Sequence, residues 1–526
     1  MVQPILIDGR WQAANDCGTF QAYNPQTGEA LTEVYPLSTW TDCDRALSAA
    51  HDAFTLLRHI EPRRLGDFLE TFAEHIEQRA DELVSMAHIE TALPESPRLA
   101  EVELPRTTGQ LRQAAAATSD GSWAMPTIDT KAGIRSCLLP LGPIVVLGPN
   151  NFPLAFNSIS GGDFAAAIAA GNPVIAKANS SHPATTRMLA EEALAAVQSV
   201  GLPPATVQLL YRTAHEDGCR LVADPRVGAT AYTGSRTSGL RLKAAAEKAG
   251  KPIYLELSSI NPVIILPGAI HQRGSRIAES LTDSCLLGTG QFCTNPGMIV
   301  LLAGEATERF IDELVDRFKS RPHGTLLSAG VARSLGESIL AIVGAGASVL
   351  AGGRADSNRG YHYENTLLRV AAGRFLENSR AFQTEAFGNA NLIVVAQDVD
   401  QLQQLIERLE GNLTGCFYSD TSGADDALYD RLEPWLRGRV GRLLNDKPPT
   451  GVAVSPAMNH GGPFPSTGHP GFTAVGLPAA LRRFAMLACY DNVRPERLPP
   501  PLGDKNPTGR MWRQIDGTWS RDDVPA

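Results

Sequence analysis

Residues 143–177, PIVVLGPNNFPLAFNSISGGDFAAAIAAGNPVIAK, hold two short β-branched runs on either side of an alanine-rich stretch. PIVVLG and PVIAK are too short for helices and rich in strand formers, and the segment after Pro153 is expected to be helical. Strand, helix and strand in that order predict a right-handed crossover between parallel strands. The alternation continues with a helix after Pro183, the runs VQLLY (207–211) and ATAYTG (229–234), the helix LRLKAAAEKAG (240–250) and the run PIYLEL (252–257). Pro183 suits a first helical turn, where no donor is wasted, and Gly201 and Gly250 stand where helix stops are expected.

Upstream, residues 41–90 and 96–118 read as helices, from apolar residues recurring at three- and four-residue spacing. Downstream, a second α/β series runs through SRIAESLTDSCLLG (275–288), MIVLL (298–302), ATERFIDELVDRFKS (306–320), NLIVVA (391–396), QLQQLIERLEG (401–411) and GRVGRLLN (438–445). Beyond about 460 the chain turns Gly/Pro-rich, offers one more strand in RRFAMLACYDN (482–492), and ends in a proline-laden tail. At 526 residues the chain exceeds one hydrophobic core, so the fold class is α/β with two or three domains.

The formal net charge of -9 comes without a basic block, which argues against nucleic acid as a partner and for a small molecule. No run approaches the roughly 18 apolar residues of a membrane span, and the first residues lack a signal-peptide pattern. Eight cysteines (Cys17, Cys43, Cys137, Cys219, Cys285, Cys293, Cys416 and Cys489) show neither paired zinc spacing nor a disulfide framework. No metal is expected, and a reducing cytoplasm is.

Among residues able to carry chemistry, Cys293 in LLGTGQFCTNPG lies among small and polar residues between a helix and a strand, where a thiolate would be accessible. By itself it reads more readily as a small buried hydrophobe. Glu256 ends an apolar strand, and the C-terminal edge of a parallel sheet is where ligands bind; desolvation there would fit it for general base work. Its bland alternative is a surface ion pair. Gly234 and Gly239 flank GSRTSG between a strand and a helix, a spacing that lets backbone N–H groups approach a pyrophosphate, though it departs from GxGxxG.

NNFP (150–153), AK (176–177), TGS (233–235), LEL (255–257), GQFC (290–293) and EAFG (385–388) occur in the order and rough spacing of the aldehyde dehydrogenase superfamily, which the chain resembles over about residues 5–495. QFCTNPG and NHGGPFPSTGHP resemble the subgroup of bacterial fatty aldehyde and α-ketoglutaric semialdehyde (2,5-dioxovalerate) dehydrogenases. The resemblance implies a Rossmann-type cofactor domain (1–128 and 146–257), a catalytic domain (258–472), a β oligomerisation arm (129–145 and 473–497) and a tail (498–526), with a homodimer expected and a tetramer as the alternative. It implies Cys293 as nucleophile, Glu256 as activator of the thiol or of the hydrolytic water, and the Asn151 amide with the Cys293 N–H as oxyanion hole. His460 matches a subgroup histidine that tunes the thiol.

For the cofactor, NADP or NAD, the resemblance implies Lys177 on the adenosine ribose, Gly234, Ser235 and Gly239 at the pyrophosphate, and Glu385 and Phe387 at the nicotinamide end. Ser180 replaces the glutamate common in NAD-preferring relatives, and Arg212 offers charge to a 2′-phosphate, so NADP+ is expected to serve at least as well as NAD+. Phe152, Leu154, Phe156 and Ile159, read as lying on one helix, suit an alkyl chain, which points to medium- or long-chain aldehydes. Arg106 and Arg112 support the alternative of a carboxylated semialdehyde. Rival readings are a CoA-acylating enzyme, which would not need Glu256 as a hydrolytic base, and a non-catalytic scaffold.

Overall fold

Ile144–Leu147 and Val174–Lys177 lie side by side as parallel strands, Ile144 opposite Val174 and Leu147 opposite Lys177. The computed structural model, which describes residues 1–15, 18–356 and 359–525, extends this pair into a seven-stranded sheet. Its order is Ile253–Glu256, Ala229–Thr233, Ile144–Leu147, Val174–Lys177, Val207–Leu210, Ile5–Ile7 and Arg10–Gln12. The first five strands are parallel and the last two join antiparallel. Every residue of Ile144–Leu147 is buried, because helices cover both faces of such a sheet. Pro183–Val200 begins on its proline and stops at left-handed Gly201, as the sequence predicts.

Residues 153–161 differ from expectation: they form successive turns, and the helix begins only at Gly162. Side chains there satisfy the backbone in place of helical bonds. The Asn157 amide donates to the Pro153 carbonyl at 2.8 Å, the Ser160 hydroxyl donates to the Leu154 carbonyl at 2.7 Å, and Glu103 accepts from the Leu154 and Ala155 N–H groups. Residues 41–90 divide into Trp40–Leu57, Pro62–Gln78 and Ala80–Thr91.

A second seven-stranded sheet has the order Ser348–Ala351, Thr366–Ala371, Ala390–Ala396, Met298–Leu302, Val263–Ile265, Asn412–Tyr418 and Val440–Asn445, with only the first strand antiparallel. A third sheet pairs Ala485–Asp491 with Ile134–Pro140, then Thr127–Asp129, and then two strands of the C-terminal tail, Arg513–Ile515 and Thr518–Ser520. The tail strands have no counterpart in the sequence reading. Arg513 anchors them, fully buried and donating to the carbonyls of Gly503, Asp504 and Asp522. Among the described residues no helix is long and apolar enough to cross a membrane. The seven described cysteines are free; Cys17 lies outside the described residues.

Glu90 ties the helical layer to the first sheet. It is 1% exposed and accepts from the N–H groups of Ala184 and Thr185 and from the Thr185 hydroxyl, in the first turn of Pro183–Val200. Burial pushes its carboxyl up to about 7, against the pull of those hydrogen bonds. The folded value exceeds the unfolded one of about 4.3, so its stability contribution is full below the unfolded value and fades as pH rises through about 7. Glu90→Gln is expected to flatten the fall of Tm between about pH 4.5 and 7, measured by thermal melts at fixed scan rate. Glu90→Ala, which orphans the donors, is expected to cost about 1–3 kcal/mol.

Candidate active site

Cys293 follows the turn Leu287–Gly290, in which Gly288, Thr289 and Gly290 all take positive φ. A Cβ on Gly290 would stand 2.1 Å from the Gly388 carbonyl oxygen, so glycine is what lets this turn press against the 385–388 loop. Gln291 pins the turn from one side: its amide nitrogen donates to the carbonyls of Gly288 and Thr325, each at 3.1 Å, and its amide oxygen accepts from Leu327 N–H at 2.8 Å. Asn261 pins it from the other, donating to the carbonyls of Cys293 and Asn295 at 2.8 Å.

Glu256 ends the strand Ile253–Glu256 and is 2% exposed. The loop after His460 lies across that strand end, with Leu257 N–H donating to the Ser466 carbonyl and Gly468 N–H to the Leu255 carbonyl. It brings the buried His460 with it, held at its own N–H by the Thr473 hydroxyl. His460 Nε2 stands 2.9 Å from Glu256 Oε1 and 3.4 Å from Cys293 Sγ. One imidazole nitrogen is therefore shared by a carboxylate and a thiol. Burial first, and the negative charge of Glu256 second, push the Cys293 thiol well above its usual range. The thiol at rest holds its proton, and the Glu256 carboxylate is the base within reach of it.

The Asn151 amide nitrogen donates one hydrogen to the Gln291 carbonyl at 2.9 Å, which leaves its second hydrogen free for a developing oxyanion. Arg98 fixes Asn151 from behind, donating to its carbonyl at 3.1 Å while paired with Glu103. Phe152, Phe156 and Phe292 form a small apolar cluster with Phe472, and Phe156 lies 6.0 Å from the His460 ring. Arg106 lies over this cluster, 5.8 Å from the Phe152 ring and 5.0 Å from the Phe156 ring. It donates to the Val452 carbonyl at 2.8 Å, while its Nε and Nη2 are buried without a partner. Burial lowers its pKa, opposed by the charges of Cys293, Glu103 and Glu256.

Two of the expected lining residues go elsewhere. Ile159 and Leu154 belong to the core beneath the first sheet, because the chain turns at 153–161 and no single helical face carries all four side chains. Arg112 is held at the surface by both oxygens of Glu77 and is not brought to this cluster.

Along the edge of the first sheet, Lys177 ends its strand half-buried, and no carboxylate pairs with it among the described residues. Burial, with help from nearby Arg212, lowers it to about 8. Ser180 is half-buried in the following loop and Arg212 is exposed. Ser235 immediately precedes the helix Arg236–Lys248. A Cβ on Gly239 would meet Leu257 at 2.4 Å and one on Gly234 the Tyr232 hydroxyl at 2.7 Å, so both glycines keep helix and sheet close. Glu385 lines a cleft of about 490 Å³ together with Arg236, Ser258 and Gln383. It accepts from Ser259 N–H at 3.3 Å, and burial raises its pKa. Glu385 and Phe387 also line a narrower recess with Phe292. An unpaired lysine, a glycine-floored helix start and a buried carboxylate on one edge fit a dinucleotide.

Arg98, Glu103, Gln291 and Asn261 were not singled out by the sequence. Each is a polar residue whose partner is distant in the chain or a main-chain atom, so no local pattern marks it.

Comparison with known proteins agrees with this geometry. Residues 11–434 match the model of the aldehyde dehydrogenase family. The chain is 38% identical to α-ketoglutaric semialdehyde dehydrogenase 2 of Azospirillum brasilense, over 95% of this chain and 97% of that one. It is 34% identical to the α-ketoglutaric semialdehyde dehydrogenase of Acinetobacter baylyi, over 97% and 98%. Among solved structures, a mutant of aldehyde dehydrogenase C from Pseudomonas syringae with NAD+ and octanal superposes with a TM-score of 0.80 at 20% identity, over 94% of this chain and 98% of that one. Lactaldehyde dehydrogenase from Escherichia coli gives 0.80 at 21% identity, over 93% and 98%. These two likenesses show the fold.

Proposed function

Because the chain belongs to the aldehyde dehydrogenase family and is an NAD(P)+-dependent aldehyde dehydrogenase, we propose that its substrates are semialdehydes with a carboxylate at the far end. α-Ketoglutaric semialdehyde is the first candidate. The observation that carries this reading is Arg106, whose guanidinium keeps two buried nitrogens unpartnered above the aromatic cluster beside Cys293. An alkyl chain on Phe152 and Phe156 would leave those donors unsatisfied, whereas a carboxylate satisfies them bidentately. Relatives that are α-ketoglutaric semialdehyde dehydrogenases support the same choice.

In this reading Cys293 adds through sulfur to the aldehyde carbon, and its proton passes to the Glu256 carboxylate, which His460 holds in place. The second Asn151 N–H and the Cys293 backbone N–H stabilise the resulting alkoxide, each donor contributing about 3 kcal/mol. NAD(P)+, when bound, would supply the hydride acceptor, and Lys177, the helix start at Gly234, Ser235 and Gly239, Glu385 and Phe387 would hold it. Cys293 then carries a thioester, and Glu256 draws a proton from the water that cleaves it. Ser180, which brings no negative charge to the ribose, supports use of NADP+. The third sheet is the proposed arm of a homodimer: its edge strand Ala485–Asp491 exposes Met486 and Leu487, and such an edge invites pairing.

Steady-state assays on α-ketoglutaric semialdehyde and on pentanal, each with NAD+ and NADP+, test the reading. The semialdehyde is expected to have the higher kcat/KM by on the order of a hundredfold, with Ser180→Glu moving the cofactor ratio toward NAD+. Pentanal equal to or better than the semialdehyde would overturn the assignment.

A further inference from the structure

We propose that Cys293, His460 and Glu256 form a binding site for one Zn²⁺ ion, which closes the active site reversibly. Sγ of Cys293, Nε2 of His460 and a carboxylate oxygen of Glu256 all lie within 4.8 Å of one another. Independently, Glu256 Oε2 is buried with no hydrogen-bond partner in a side chain only 2% exposed, a state that costs free energy and that a cation relieves. Tetrahedral zinc holds sulfur at about 2.3 Å and nitrogen or oxygen at about 2.0–2.2 Å, which sets ligand atoms roughly 3.3–3.7 Å apart. The observed separations of 2.9 and 3.4 Å would open by a few tenths of an ångström, and the Cys293–Glu256 pair, within 4.8 Å, would settle into the same range.

The donor set selects the metal. Thiolate and imidazole favour Zn²⁺ over Mg²⁺ and Ca²⁺, which demand oxygen ligands. Thiolate and carboxylate together neutralise the two positive charges, so the buried complex carries no net charge. Binding displaces the thiol proton to solvent and leaves a fourth coordination position toward the half-buried side of Cys293, filled by water. The sulfur lone pair that would attack an aldehyde is then engaged by the metal. The inhibition, though not the binding, rests on the reading of Cys293 as nucleophile.

The test uses the full chain carrying Cys219→Ser and Cys489→Ser, which removes the described thiols other than Cys293 that are not buried. Co²⁺ titration is expected to give one ion per chain with tetrahedral visible bands and a thiolate charge-transfer band, and Zn²⁺ is expected to displace it. Equilibrium dialysis is expected to show Zn²⁺ affinity at least about 100-fold weaker in His460→Ala and in Cys293→Ala, in protein that still binds NAD(P)+. Zn²⁺ is expected to abolish turnover with a midpoint at its Kd, and a chelator to restore it. Absence of the tetrahedral spectrum, or affinity unchanged in both variants, would overturn the proposal. Turnover surviving in Cys293→Ala would overturn the nucleophile reading alone, because the Co²⁺ spectrum reports the site without any reaction.

Discussion

Cys293→Ala is expected to lose dehydrogenase turnover by on the order of 10⁴-fold or more, with cofactor binding retained, and Glu256→Gln to split the reaction into its two halves. Glu256 sits against His460 Nε2 at 2.9 Å, and its charge is the second cause, after burial, of the raised Cys293 pKa. Removing that charge lowers the thiol pKa, so the thiolate fraction at neutral pH rises. Alkylation of Cys293 by iodoacetamide in Glu256→Gln is therefore expected to be faster than in the wild type at pH 7, with its rate profile displaced to lower pH. In the wild type the raised thiol makes alkylation climb steadily as pH increases through the neutral range. Turnover of Glu256→Gln falls nonetheless, by roughly 10²–10⁴-fold, because the thioester lacks the base that activates water. A pre-steady-state burst of NAD(P)H followed by a slow phase is the expected signature. Slower alkylation together with no burst would mean that Glu256 serves the attack step and not hydrolysis.

The strands of the first sheet were legible because each is a buried β-branched run closed by Gly or Pro, and burial on both faces leaves little choice of residue. Glu256 drew attention for a related reason, since it ends such a strand, whereas Cys293 follows a turn and was singled out by the resemblance that GQFC carries. The third sheet shows the opposite case. Arg513–Ile515 and Thr518–Ser520 are three residues each, too short for a period to register, and are held by partners hundreds of residues away. Residues 153–161 misled because their composition suits a helix while Asn157, Ser160 and the distant Glu103 take over the backbone's hydrogen bonds. The grouping of Cys293, His460 and Glu256 came from the family resemblance and from no local pattern. Its members come from three segments up to 204 residues apart, whereas zinc spacing rules recognise ligands close in sequence.

Arg106→Leu is expected to lower kcat/KM for α-ketoglutaric semialdehyde by on the order of a hundredfold, equivalent to about 3 kcal/mol, and to leave pentanal unchanged or improved. The carboxylate contact is the same before and at the transition state, so most of the loss is expected in KM. The two rings beneath the guanidinium, Phe152 and Phe156, remain in the variant, and the leucine extends their apolar surface toward the alkanal. Arg106→Lys, which keeps a charge but not the planar fork, is expected to fall between wild type and leucine. Stability separates this account from a structural one. Arg106 Nε and Nη2 are buried and unsatisfied, so replacing the side chain by leucine removes a desolvation cost, and Tm is expected to hold or rise. Arg112→Leu serves as the comparison, since Arg112 is engaged by Glu77 at the surface; its kinetics on both aldehydes are expected to match wild type. Equal losses on semialdehyde and pentanal in Arg106→Leu would mean that Arg106 shapes the pocket without reading the carboxylate.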